Sequence, residues 1–186
     1  MGTEHRDDGD LDRLFTSLIR DVPDFPRPGV VFKDITPLLA EPRALSVVVE
    51  ALAGHGRDER GRPVVDKVVG IEARGFILAA PVAMVLGAGF VPVRKHGKLP
   101  GPTHEVSYAL EYGEATLAVH RDAFAAGDRV LVVDDVLATG GTVAATVELV
   151  RLCGAAVEHV AVLMELSFLH GRDQLAGLDA TALLTV

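Results

Sequence analysis

The 186-residue chain has a single cysteine, Cys153, no tryptophan and no asparagine. One thiol excludes a disulfide framework within the chain and suits a reducing compartment. Without asparagine there is no N-glycosylation sequon. The common nucleotide and hydrolase signatures are missing too. There is no GxxxxGK[ST], no GxGxxG after a strand, no GxSxG, no HExxH and no CxxC. The seven histidines are dispersed, and none forms a metal-ligand pair at helical spacing. Positive charge is in deficit: 18 Lys and Arg face 26 Asp and Glu, a net −8. That balance argues against a general nucleic-acid or membrane-surface binder, while leaving room for a local cationic pocket.

Targeting signals are also lacking. The first ten residues, MGTEHRDDGD, are polar and hold no apolar signal-peptide core, and Arg6 stands where a myristoylation site wants Ser or Thr. A cytoplasmic protein is expected. Gly75 to Val93 is 19 residues without a charge. Pro81, Pro92 and Gly87-Ala88-Gly89 divide it into a short helix, a turn and a strand, so it reads as buried core and not as a membrane span.

What is present is ordinary globular material, 49% hydrophobic and 24% charged. At this length a single domain over 1–186 is expected, with a disordered tail over 1–10 and an amphipathic helix from Leu11 to Ile19. Asp24 to Gly29 reads as irregular loop, since each proline biases its predecessor towards extended geometry. A helix is predicted over Pro42–Leu52 and a surface loop over Gly54–Pro63. Beyond it the pattern alternates: strand Lys67–Ile71, helix Phe76–Leu86, strand Phe90–Val93. Lys95–Glu105 reads as a long irregular loop, of the kind that is usually functional in a compact domain. A hairpin follows, Val106–Leu110 with Ala115–Val119. Then come strand Arg129–Val133, helix Thr142–Leu152 and strand Val157–Met164. Continuous apolar strands alternating with helices predict an α/β fold with a mostly parallel central sheet flanked by helices.

The segment richest in chemistry is Val130-Leu-Val-Val-Asp134-Asp135-Val136-Leu-Ala138-Thr139-Gly140-Gly141-Thr142. A buried strand delivers two carboxylates to its C-terminal edge, where open α/β sheets bind ligands. Gly140 and Gly141 let backbone N–H groups converge, Thr139 and Thr142 add hydroxyls, and a helix N-terminus adds its positive end. This is a cup for a phosphate monoester. Asp134 and Asp135 suit a polyol or a hydrated Mg²⁺ instead. A phosphate beside hydroxyls describes a ribose 5-phosphate.

This segment resembles the phosphoribosyl diphosphate (PRPP) signature of the type I phosphoribosyltransferase family. Four further segments resemble its adenine phosphoribosyltransferase branch. They are Asp24 to Leu39, Gly70-Ile-Glu-Ala-Arg-Gly-Phe76, Arg94-Lys-His-Gly-Lys-Leu-Pro-Gly-Pro-Thr103 and Ser107-Tyr-Ala-Leu-Glu-Tyr-Gly113. The resemblance implies the type I phosphoribosyltransferase fold, with a small N-terminal hood and base-binding segment over 11–40 and a flexible catalytic loop and hairpin over 95–114. It implies transfer of the 5-phosphoribosyl group from PRPP to N9 of adenine, giving AMP and pyrophosphate in purine salvage. Mg²⁺ is then held mainly through PRPP and water, without a dedicated protein ligand cage. It also implies a homodimer whose basic loop reaches the neighbouring site.

By the same resemblance, Ala138, Thr139, Gly140, Gly141 and Thr142 hold the 5-phosphate, and Asp134 and Asp135 the ribose hydroxyls. Glu72, Ala73, Arg74, Arg94, Lys95 and Lys98 serve the pyrophosphate. Val31, Phe32, Lys33 and Val136 serve adenine, and Glu111 trades a proton with the purine. Tyr108 helps to order the closed loop. Read from residue type alone, plainer roles stay open: a surface salt bridge for Arg74, a solvated basic loop for Arg94, Lys95 and Lys98, plain core for Phe32 and a hairpin-turn carboxylate for Glu111. Ala73, His96 and His104-Glu105 depart from the pattern, and Glu105 brings negative charge close to the pyrophosphate loop. Use of an oxopurine (xanthine, hypoxanthine or guanine) and a non-catalytic PRPP sensor are the competing functional readings.

Overall fold

The computed structural model describes residues 17–109, 113–175 and 177–186. The predicted tail, nearly all of the predicted first helix and Glu111 lie outside the described residues. The chain divides into two compact units, Met1–Val48 and Val49–Val186.

In the first unit, β1 (Arg20–Pro23) and β2 (Val31–Asp34) form an antiparallel pair in which Asp21 faces Lys33 and Val22 faces Phe32. The Asp24–Gly29 loop between them is irregular, as the prolines require, and Asp24 Oδ1 accepts the Gly29 amide at 2.8 Å. A short helix α1 (Thr36–Ala40) carries proline in its first turn and buries Leu38. Helix α2 (Pro42–Gly54) then crosses into the second unit's sequence. Its first turn has the Glu41 carboxylate as acceptor for the Ala44 amide. Neither the β1–β2 pair nor α1 was legible, since proline-rich flanks obscure four-residue strands.

The second unit is built on a seven-stranded sheet in the order β5-β6-β4-β3-β7-β8-β9. Strands β3 (Lys67–Ile71), β4 (Gly89–Lys95), β7 (Arg129–Leu137), β8 (Ala156–Glu165) and β9 (Ala180–Thr185) are mutually parallel. The hairpin strands β5 (Thr103–Ala109) and β6 (Glu114–His120) join antiparallel at the β4 edge. Every residue of β7 from Val130 to Asp135 is buried, which requires cover on both faces of the sheet. Helices α3 (Arg74–Leu86) and α4 (Gly141–Leu152) are the main flanking elements. Gly87 ends α3 at φ +65°, a backbone that suits glycine.

Three expectations change. The long loop is shorter than predicted, because Lys95 ends β4 and Thr103–Glu105 open β5; glycine and proline exclude regular structure only between them. Strand β7 runs past Asp134 and Asp135 to Leu137, since pairing with β8 continues to Leu137 opposite Glu165. And the C-terminal segment, uninformative as sequence, supplies the edge strand β9.

Candidate active site

At the carboxyl end of the parallel strands lies a cavity of about 350 Å³. Strand β3 delivers Glu72, Ala73 and Arg74 to it, and β7 delivers Asp134, Asp135 and Val136. The loop after β7 adds Ala138, Thr139 and Gly140, and Thr142 follows on α4. Lys95 and Tyr108 complete the predicted residues that line it; Leu117, Leu137 and Val143 are apolar walls that sequence reading passed over. Two helix N-termini thus flank one cavity, α3 at Ala73–Arg74 and α4 at Gly140–Thr142. Each turns the positive end of a helix dipole towards the cavity. The pair of carboxylates sits between them.

The carboxylates are not equivalent. Asp134 is buried. Burial, then the charge of Asp135, pushes its carboxyl well above the usual range. Its Oδ1 accepts the Asp135 amide at 2.9 Å. Gly75 packs directly against it: a Cβ there would stand 2.6 Å from Asp134 Oδ1. Glycine after Arg74 is therefore a packing requirement, a signal that only the three-dimensional neighbour explains. Asp135 pairs with Arg74, Nε to Oδ2 at 2.7 Å. That oxygen is buried and accepts no well-directed hydrogen bond among the described residues. The contact is one of charge, and Oδ2 retains lone pairs for a hydroxyl or a hydrated cation. Arg74 thus pairs with a buried carboxylate while its own side chain stays 36% exposed.

Gly140 opens α4 at φ +85°, the left-handed region that favours glycine. Gly141 does not line the cavity, and a Cβ there would stand 2.9 Å from Tyr108 Cδ2. The Tyr108 hydroxyl is 3.0 Å from Thr142 Oγ1. This ties β5 to the first turn of α4.

The basic segment is organised by Glu72. Its carboxylate accepts Arg94 Nε at 3.2 Å and the Lys95 amide at 3.0 Å. Burial pushes the Glu72 carboxyl up, but the Lys95 amide and Arg94 outweigh it and hold it below its ordinary range. Arg94 also donates to the Lys98 carbonyl at 3.0 Å. Arg94 and Lys98 therefore stand beside the cavity, fastened to each other, while Lys95 lines it. His96 and Glu105, both departures from the family pattern, are each other's partner at 3.0 Å, so the negative charge of Glu105 is directed at His96.

In the first unit, Lys33 Nζ is 2.7 Å from Asp21, and the Phe32 ring meets Phe25 edge-on at 5.1 Å. Val31 is half exposed. Among the described residues no group of three or more His, Cys, Asp or Glu is placed to hold a metal ion. Among the described residues no helix is long and apolar enough to cross a membrane.

A strand-end carboxylate pair between two helix N-termini suits a ligand that carries both anionic and hydroxyl groups. Residues 35–176 match the family described as "Phosphoribosyl transferase domain", and the chain belongs to that family. Its relatives include the adenine phosphoribosyltransferase of Nocardioides sp., 69% identical over 91% of this chain and 92% of that protein. The adenine phosphoribosyltransferase of Streptomyces coelicolor is 59% identical over 95% and 97%. The structure is similar to that of adenine phosphoribosyltransferase from Rhodothermus marinus, with TM-score 0.89 and 48% identity over 96% of this chain and 99% of that one. It is likewise similar to the enzyme from Saccharomyces cerevisiae complexed with an imino-altritol bisphosphate and adenine, with TM-score 0.89 and 35% identity over 95% and 99%. The fold is the mostly parallel, helix-flanked sheet expected from the sequence.

Proposed function

We propose that the chain is an adenine phosphoribosyltransferase of purine salvage, a pentosyltransferase joining adenine to the phosphoribosyl group of PRPP. The observation that carries this reading is the cavity between two helix N-termini with Asp134 and Asp135 in its middle. PRPP has the same layout, a 5-phosphate and a pyrophosphate on either side of two ribose hydroxyls. The agreement of its relatives on one activity supports the choice of adenine.

The 5-phosphate occupies Ala138 to Thr142, with N–H groups of the α4 N-terminus as donors. Asp134 and Asp135 accept from the ribose hydroxyls. Pyrophosphate lies at Glu72 to Arg74, where the Arg74 guanidinium meets two phosphate oxygens at once. Lys95 and Lys98 add charge, and Arg94 holds their segment in place. Adenine N9 bonds to C1 as the C1–O bond to pyrophosphate breaks; the N9 proton leaves, and pyrophosphate departs with the electron pair of the broken bond. Glu111 exchanges that proton at the purine ring. Val31 to Lys33 and Val136 receive the base, with the backbone at Lys33 reading its edge. Closure of the 95–114 segment with Tyr108 excludes water from the cationic sugar.

Oxygen-rich donors suit Mg²⁺. Asp135 Oδ2, buried and without a hydrogen bond among the described residues, fits a hydrated Mg²⁺ carried in with PRPP. When bound, the ion offsets the charge of the leaving pyrophosphate. We also assign the chain to the cytoplasm and to a homodimer that shares the basic loop. Helix α3 is uncharged after Arg74 and exposes Ile77, Met84 and Val85, with Phe90 on the adjoining strand, a face suited to a second copy. Sedimentation at two concentrations tests it, and a monomer at both contradicts it.

The activity is tested by supplying PRPP and Mg²⁺ with adenine, hypoxanthine, guanine or xanthine in turn. Nucleotide from adenine alone is the expected result. Turnover of an oxopurine overturns the substrate. PRPP binding with no turnover of any base makes the chain a sensor.

A further inference from the structure

The loop that forms the phosphate cup is packed, backbone on backbone, against a turn that the reaction itself does not use. A Cβ at Gly140 would collide with the Gly171 carbonyl oxygen, and a Cβ at Gly171 would collide with the Ala138 carbonyl oxygen. The two glycines therefore seat the cup and the 171–175 turn against each other, and movement of that turn is movement of the cup. What fixes the turn is an ion pair. Glu165, the last residue of β8, is buried and lies opposite Leu137, the last residue of β7 before the cup. Its two carboxylate oxygens each accept Arg172 Nε at 2.8 Å, and Arg172 Nη2 is 2.7 Å from Oε2. Arg172 Nη1 also donates to the Ala180 carbonyl at 2.8 Å, at the start of β9. One guanidinium thus joins the ends of two strands to the turn, and Leu175 at the end of that turn is buried in the core.

We propose that the Glu165–Arg172 pair positions the 5-phosphate cup through Gly171 without touching the substrate. The proposal rests on the phosphoribosyl reading of the cavity. It separates the two ends of PRPP: the α3 end, with Arg74 and Lys95, has no part in this packing. Disturbing the pair therefore weakens the grip on the 5-phosphate and leaves the grip on pyrophosphate unchanged. Arginine is specifically required, because the three N–H donors of lysine sit on one nitrogen and cannot span both carboxylate oxygens and the Ala180 carbonyl as a planar guanidinium does.

The test measures binding of ribose 5-phosphate and of Mg²⁺-pyrophosphate, separately, to the full chain by calorimetry. The proteins are wild type, Arg172→Lys and the double variant Arg172→Met with Glu165→Gln. The double variant avoids leaving a buried carboxylate unpaired, and a cooperative melt establishes that each protein is folded. Gly171→Ala, which presses on the cup directly, is a second route to the same displacement. The double variant and Gly171→Ala are expected to lose between about tenfold and about a hundredfold in ribose 5-phosphate affinity, with Arg172→Lys in between and pyrophosphate affinity unaltered in all. Equal loss for both ligands, or no loss for either, overturns the proposal. A wild-type chain that binds neither ligand overturns the phosphoribosyl reading, and this inference with it.

Discussion

The Tyr108 hydroxyl lies 3.0 Å from Thr142 Oγ1, and its ring lies over Gly141. Strand β5 is thereby fastened to the first turn of α4, where the proposed phosphate cup ends. Tyr108→Phe keeps the ring and removes the bond, worth about 1 kcal/mol. We expect KM for PRPP to rise by roughly fivefold with KM for adenine unchanged, as read by steady-state kinetics with each substrate varied. Unchanged KM for PRPP contradicts the tie.

Asp134 predicts a trade of stability against activity. Burial and Asp135 raise its pKa, so the protonated form is the one that folding favours. Its favourable contribution is present at low pH and lost as pH rises through the raised folded value. At pH 7.5 Asp134→Asn is expected to melt higher than wild type, and the gap narrows as the buffer is taken to pH 5. Turnover falls in the same variant, since asparagine accepts less strongly from a ribose hydroxyl. Differential scanning calorimetry at the two pH values checks this, and a variant that melts lower at pH 7.5 contradicts it.

Arg74 is held at the cavity by Asp135 at 2.7 Å, and in the proposed reaction it exchanges that partner for pyrophosphate. Arg74→Ala is expected to lower kcat by about a hundredfold or more, the usual loss when a preorganised charge donor is removed. Arg74→Lys recovers part of it. Pre-steady-state measurement of AMP formation isolates the chemical step. Equal rates for Arg74→Ala and wild type contradict the assignment.

Away from the site, His55 and His159 stack with ring centroids 4.8 Å apart and planes 4° from parallel. His159 Nε2 is 3.0 Å from Thr181 Oγ1. Burial lowers both pKa values below 6.5, and for His159 the neighbouring His55 lowers it further. Neutral rings are therefore the folded form, and their contribution is full above pH 6.5 and lost as pH falls below it. Melting temperature is expected to drop between pH 7 and pH 5, and less so in His159→Gln. The same drop in both proteins contradicts the pairing.

Much of this was legible in the sequence, and what was missed has physical causes. Lys67–Ile71 is a strand to the residue because it is buried on both faces and reads as a continuous apolar run. Asp134-Asp135 followed by Thr139-Gly140-Gly141-Thr142 marked the cavity, because the chain itself joins strand, cup and helix. Contacts between distant segments were invisible. Nothing near Arg74 in sequence announces Asp135 as its partner, and nothing near Glu72 announces Arg94 and Lys95. Gly75 and Gly171 read as unremarked glycines, and Gly141 only as part of a phosphate turn, until the side chain or carbonyl each accommodates is seen. The β1–β2 pair and β9 were missed because short strands beside prolines, or at a sheet edge, carry little periodicity. Glu111 rests on resemblance alone.

The most direct measurement is product stoichiometry. Adenine, PRPP and Mg²⁺ are incubated with the protein, and AMP, pyrophosphate and ribose 5-phosphate are quantified together by chromatography. The account predicts equimolar AMP and pyrophosphate with no ribose 5-phosphate, because a closed cavity passes the sugar to adenine and not to water. Pyrophosphate accompanied by ribose 5-phosphate, without AMP, would contradict it.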